Sequence, residues 1–162
     1  MVSPLNGAPE WFGFTEITVG GFDAAREIVR VYRDADREDV QYIVVSGYAL
    51  AWYNIVNLKQ INDCTDTPAV SLTYEDSPGL ENSIRREFTD RDREKRLELY
   101  TGDRVEIEVG GDSVYVRSEG VEVSEVREML NTSETEAGHP VFLRTAKLAA
   151  RGVFNYREPG TE

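Results

Sequence analysis

Apolar positions fall into two kinds of run along this chain. Short stretches rich in β-branched and aromatic residues occur at residues 11–19 (WFGFTEITV), 40–46 (VQYIVVS) and 68–74 (PAVSLTY), and each predicts a strand. The centre of the second, Ile43-Val44-Val45, does not alternate with polar residues, which suits a strand covered on both faces. Helical spacing takes over between them. Ala25, Ile28, Val29 and Tyr32 share one face behind Asp23, a residue type that caps helix starts. Ile55, Leu58 and Ile61 predict a second helix over residues 54–64.

Beyond Tyr74 the pattern changes. Glu75-Asp76-Ser77-Pro78-Gly79 reads as a loop, with Ser77 as a cap and Pro78 in the first turn of a helix. Helices are predicted over residues 80–88 and 92–100. Residues 104–109 and 113–119 flank Gly110-Gly111-Asp112 and predict a β-hairpin. Ser124 is placed to cap a helix running to Leu130, and NTSETEAGH reads as a polar loop. Pro140 opens a last helix over residues 141–154, with Phe142, Ala146 and Ala149 facing inward, and residues 155–162 read as a loose tail. The expected fold is a mixed α/β sheet with flanking helices and a hairpin in its second half, forming one domain over residues 1–154. Function in such sheets collects where strands end, here at Gly20, Ser46 and Glu75.

Composition narrows the setting. A chain of 162 residues suits one core, and it has no apolar run long enough to span a bilayer. The first residues do not pair a basic stretch with an apolar one, so no secretory signal and no membrane are expected, and the reading is cytoplasmic. The single cysteine, Cys64, cannot form an internal disulfide and reads as inert packing. The net charge is −12, with 30 acidic against 18 basic residues, and only three of the latter are lysines: Lys59, Lys95 and Lys147. That balance predicts a halophilic archaeal cytoplasm, where hydrated carboxylates keep a surface soluble. At molar salt the Debye length falls to about 3 Å, so net charge neither favours nor excludes nucleic acid as a ligand.

The candidate chemistry is sparse. A hydrolase serine would want Gly-x-Ser-x-Gly, whereas Ser46 follows Val44-Val45, and His139 is the sole histidine available as a base. One histidine without cysteine or histidine neighbours makes a poor transition-metal site. The six basic residues between Arg85 and Arg96 are interleaved with acids and read as a solvated helix face. Trp52 and Tyr53 suit either a lid over the core or a platform for bases. Phosphodiester cleavage on an α/β sheet would need carboxylates from several strand ends to converge on Mg²⁺. Gly20 and Ser46 supply none, and Glu75 and Asp76 share one loop.

Several stretches resemble the archaeal DUF99 (UPF0215) family, which is related to endonuclease V and has a ribonuclease H-like fold. The family's Val-Asp-Gly-x-Asp-Ala-Thr appears here as Val19-Gly20-Gly21-Phe22-Asp23-Ala24-Ala25. Its strand ending in Asp-Gly, followed by Gly-Phe-Asn-x-x-Asp, appears as Ser46-Gly47 and Trp52-Tyr53-Asn54-Ile55-Val56-Asn57. Its Pro-Glu-x-x-Arg-x-Ala appears as Pro140-Val141-Phe142-Leu143-Arg144-Thr145-Ala146. The resemblance spans residues 11–154. Three acidic positions of the family are neutral here, at Gly20, Ser46 and Asn57, and the glutamate after proline is Val141.

The resemblance implies an endonuclease V-like protein that has lost its metal ligands, with Ser46 marking one of them. The expected role is binding or assembly, without a catalytic set, a metal or another cofactor, and with nucleic acid open as a ligand. The expected groove comprises Asp23, Ser46, Tyr48, Trp52, Tyr53, Asn54 and Arg144. The alternative is a Mg²⁺-dependent endonuclease using Asp23, Glu75 and Asp76 as substitute ligands. The family's first strand has no counterpart here, so an unpaired strand edge is expected: either the natural start lies upstream, or the gap is filled by a rearranged N-terminal segment, a second copy of the chain or another protein, association being the favoured filler.

Overall fold

The computed structural model describes residues 1–100, 104–136 and 139–157. In chain order the elements are α1 (Ala24–Asp34), β1 (Ile43–Ser46), β2 (Ala49–Leu50), β3 (Asn54–Ile55), α2 (Leu58–Thr65), β4 (Ala69–Thr73), α3 (Glu81–Glu87) and α4 (Asp90–Leu99). They continue with β5 (Val105–Val109), β6 (Asp112–Glu119), α5 (Val123–Thr132), β7 (Thr135–Glu136), β8 (His139–Pro140) and α6 (Val141–Arg157).

The main sheet has the order β1-β4-β6-β5. β1 runs parallel to β4, with Ile43 opposite Ala69 and Ser46 opposite Leu72. β6 is antiparallel to β4 and to β5. The tight β5–β6 turn needs Gly110 and Gly111, whose φ values of 61° and 92° are costly for any side chain. Strand alternation divides the core in two. Val70 and Leu72 of β4, Ile107 and Val109 of β5, and Val114 and Val116 of β6 pack with Val126, Met129 and Leu130 of α5. Ala69 belongs to the opposite side, with Ala24, Ala25 and Val29 of α1, Leu58 and Ile61 of α2, and Ile84 of α3. Val44 joins the first group while Ile43 and Val45 join the second, which is why that run does not alternate in sequence. The fold is therefore the expected mixed α/β sheet flanked by helices.

Several local expectations are corrected. Residues 11–19 form no strand. Trp11 makes an isolated bridge to Val2, and the segment is tied to α1 through its side chains, with the Thr15 hydroxyl 2.8 Å from Glu27 Oε2. Its apolar residues are shared between Ile17, which packs on the core, and Phe12 and Phe14, which stack on each other at the surface. Asn54 lies in β3, and α2 begins at Leu58, where the Asn57 side chain accepts from the Gln60 amide. α3 begins at Glu81, leaving Ser77 and Pro78 in the loop. α5 is capped by Glu122, which forms a capping box with Glu125, so Ser124 is inside the helix. Cys64, expected to pack inward, is exposed near the end of α2. Residues 155–157 continue α6, and the rest of the expected tail lies outside the described residues. Among the described residues no helix is long and apolar enough to cross a membrane.

Candidate functional site

The residues singled out from sequence fall into two separate groups. The first is built around Asn54, which is completely buried. Its Oδ1 accepts from the Ala24 amide at 3.1 Å, and its Nδ2 donates to Thr18 O at 2.9 Å and to Asp23 Oδ1 at 2.6 Å. Asp23 also accepts from the Thr18 hydroxyl at 2.7 Å and from the Thr18 amide. Hydrogen bonds from the Thr18 hydroxyl first and Asn54 second hold the Asp23 carboxyl down to about 2. All of these bonds stay within the protein, so Asn54 fastens the start of α1 to the preceding turn.

Arg96 of α4 closes the same region from below. It is 1% exposed, and its Nη1 donates to Tyr53 O at 2.6 Å and Gly21 O at 3.2 Å. Its Nη2 donates to Gly20 O. The guanidinium lies over the rings of Phe22 and Phe88 at 4.2 and 4.1 Å. Burial lowers its pKa, against the opposing charge of Asp92. The clamp holds an unusual turn at the tip of the β2–β3 hairpin, where Ala51, Trp52 and Tyr53 have φ values of 37°, 55° and 63°. Three consecutive side-chain-bearing residues in the left-handed region are strained. The turn presents Trp52 at 56% exposure, with its ring against Phe88 and Tyr53. Gly20, at φ 66°, lies beneath that ring, and a Cβ there would come within 2.9 Å of it.

The second group lines a cleft of about 520 Å³ beyond the ends of β1 and β4. Ser46, Gly47 and Tyr48 form one wall and Thr73, Tyr74 and Glu75 another. Arg117 reaches it from β6, Arg104 from just before β5, His139 from β8, and Arg144 and Lys147 from α6. Tyr48 is buried and donates to Leu99 O at 3.0 Å. The Arg117 guanidinium sits over the rings of Tyr48 and Tyr100 at 4.5 and 5.1 Å. Arg104 is held by the carbonyls of Glu75 and Ser77 and by Asp76 at 3.2 Å, and Arg144 pairs with Glu136. Burial pushes the Tyr74 hydroxyl up to about 12, and the His139 ring meets the Tyr74 ring edge-on at 4.1 Å. Among the described residues, the Tyr74 hydroxyl and Arg117 Nε are both buried without a hydrogen-bond partner.

The cleft is thus a basic site in an acidic chain. Four cationic side chains line it, and among the described residues Glu75 is the only carboxylate in the lining. Such a set does not fit Mg²⁺. Among the described residues no three His, Cys, Asp or Glu side chains come together as a metal would need. Asp23 is engaged by Thr18 and Asn54 away from the cleft, and Asp76 is turned to Arg104.

Ser46, Tyr48 and Arg144 of the expected groove therefore meet in the cleft, whereas Asp23, Trp52, Tyr53 and Asn54 form the other group. Arg104, Arg117, Lys147 and Tyr74 were not legible as site residues. They come from four different elements or loops, and no local spacing marks them. Arg96 was read as part of a solvated face, because one buried arginine among acids leaves no periodic signal.

A family model described as Endonuclease dU matches residues 3–154 of the chain. Among curated relatives, a UPF0215 protein of Archaeoglobus fulgidus is 26% identical over 160 residues, covering 95% of this chain and 84% of the relative. One from Methanopyrus kandleri is 28% identical over 145 residues, covering 86% and 73%. One from Thermococcus kodakarensis is 25% identical over 139 residues, covering 85% and 70%. A crystal structure of a protein of unknown function from Archaeoglobus fulgidus superposes with a TM-score of 0.70 at 22% identity, covering 86% of this chain and 79% of that one.

Proposed function

Since the chain belongs to the Endonuclease dU family, related to endonuclease V, we propose that it acts by binding nucleic acid rather than cleaving it. The observation that carries this reading is the strand-end cleft, where Ser46 occupies the end of β1 and four cationic side chains line the walls, two of them, Arg117 and Lys147, without a carboxylate partner among the described residues. A metal-dependent nuclease gathers carboxylates at such a place to hold Mg²⁺ and stabilise the leaving oxygen. Cations there repel a divalent metal and attract phosphate oxygens. Trp52 adds an exposed ring on which a base can stack, held in a strained turn by Arg96.

The test uses single-stranded and duplex oligonucleotides, plain or containing deoxyuridine or inosine, with Mg²⁺ or Mn²⁺ in high salt. The expected result is no cleavage above a buffer blank. Cleavage that disappears in Asp23→Ala or Glu75→Ala would restore the nuclease reading. Binding of single strands is expected to weaken in Trp52→Ala by roughly 1–3 kcal/mol, as for loss of one stacked base. Unchanged binding in that variant would assign Trp52 to covering the core.

A further inference from the structure

We infer that the strand-end cleft takes the dianion of a phosphomonoester, such as the phosphorylated end of a strand. This rests on the binding reading above and names the ligand group.

Charge and hydrogen bonding lead to the same group. Arg117 is half-buried, yet among the described residues it pairs with no carboxylate. Its Nη2 reaches only the Tyr100 hydroxyl, at 3.3 Å, and its Nε has no acceptor. A buried cation with an open donor is costly unless an anion meets it. The Tyr74 hydroxyl is a second buried donor on the cleft wall without an acceptor. Lys147 at the cleft has no ion-pair partner among the described residues, while Arg104 and Arg144 are engaged with Asp76 and Glu136. Two cations that pair with no carboxylate among the described residues, and two open donors, match a group of about −1.5 to −2 charge with several acceptor oxygens. An internal phosphodiester carries a single charge, and a strand of them asks for cations strung along a groove. Here they surround one cleft of about 520 Å³, a size suited to a terminal nucleotide.

Isothermal titration in high-salt buffer tests this with four titrants. They are inorganic phosphate, a mononucleotide, and a short single strand with or without a terminal phosphate. The phosphorylated strand is expected to bind about tenfold tighter than the unphosphorylated one. Inorganic phosphate should compete for that difference, and Lys147→Glu and Arg117→Gln should erase it. Lys147 is exposed, so its variant keeps the test valid even if Arg117→Gln, which loses a ring contact, fails to fold. Phosphate and mononucleotide binding without strand binding would uphold the dianion site with a small-molecule source and would overturn the nucleic-acid reading. Strands that bind equally whatever their ends, with no competition by phosphate, would overturn this inference and leave the binding reading standing. No binding of any titrant would overturn both.

Discussion

Asp23 shows how a residue type suited to metal chemistry can be absorbed by structure. Its oxygens accept from Thr18 and Asn54, and its pKa falls from 3.8 to about 2. A carboxyl depressed in the folded state contributes stability above its unfolded pKa, and that contribution is lost as pH falls through the folded value. The fold should therefore hold Asp23 ionised at pH 3 and lose this support toward pH 2. Carboxyl NMR titration is expected to place Asp23 well below the ordinary aspartate value of 3.8. In Asn54→Ala its midpoint should rise toward 3.8. A midpoint near 3.8 in the unmodified protein would remove the Asn54 bond from the account.

At the scale of elements, α4 acts as a clamp through one side chain. Arg96 donates to the carbonyls of Gly20, Gly21 and Tyr53 and holds the hairpin tip against the turn before α1. Arg96→Ala leaves three carbonyls without their donor at a cost of about 3 kcal/mol or more. For a chain of this size the melting temperature should fall by roughly 6–12 °C, read by circular dichroism. A shift under a degree or two would mean that the Trp52, Tyr53 and Phe88 ring contacts hold the turn without Arg96. Most elements were legible because their apolar spacing reports the layer they bury, as in α1, β4 and the β5–β6 hairpin. Residues 11–19 misled because strand-forming residues need a partner strand. Phe12 and Phe14 stack at the surface instead, and Thr15 is tied to α1. Asn54 misled because a buried side chain making three hydrogen bonds looks, as a letter, like a helix cap or a ligand donor. The basic cleft was illegible because the sheet assembles it from residues far apart in sequence.

For the whole molecule, charge and an open sheet edge set the expectations. With a net charge of −12, self-repulsion should loosen the compact state where salt does not screen it. Melting followed by circular dichroism should rise from dilute buffer to molar KCl, and a flat response would contradict the halophilic reading. β1 ends the sheet. The amides of Ile43 and Gly47 donate to Pro68 and Leu72 at 2.8 and 2.9 Å, so Val44 and Ser46 turn their amides outward. Leu148, Phe154 and Tyr156 of α6 are also exposed. We therefore expect two copies to associate in molar salt, measured by light scattering, and a monomer at all concentrations would contradict that.

If the strand-end cleft takes an anion where a metal-dependent nuclease would hold a metal, the two ligands should act oppositely on the folded state. The most direct measurement is the thermal shift of one preparation in parallel samples containing MnCl₂ or potassium phosphate at matched ionic strength, since a ligand of the folded state raises the melting temperature. Phosphate is expected to raise the melting temperature, Lys147→Glu to reduce that rise, and Mn²⁺ to cause none. A rise with Mn²⁺ that is lost in Glu75→Ala, with no response to phosphate, would contradict the anion reading.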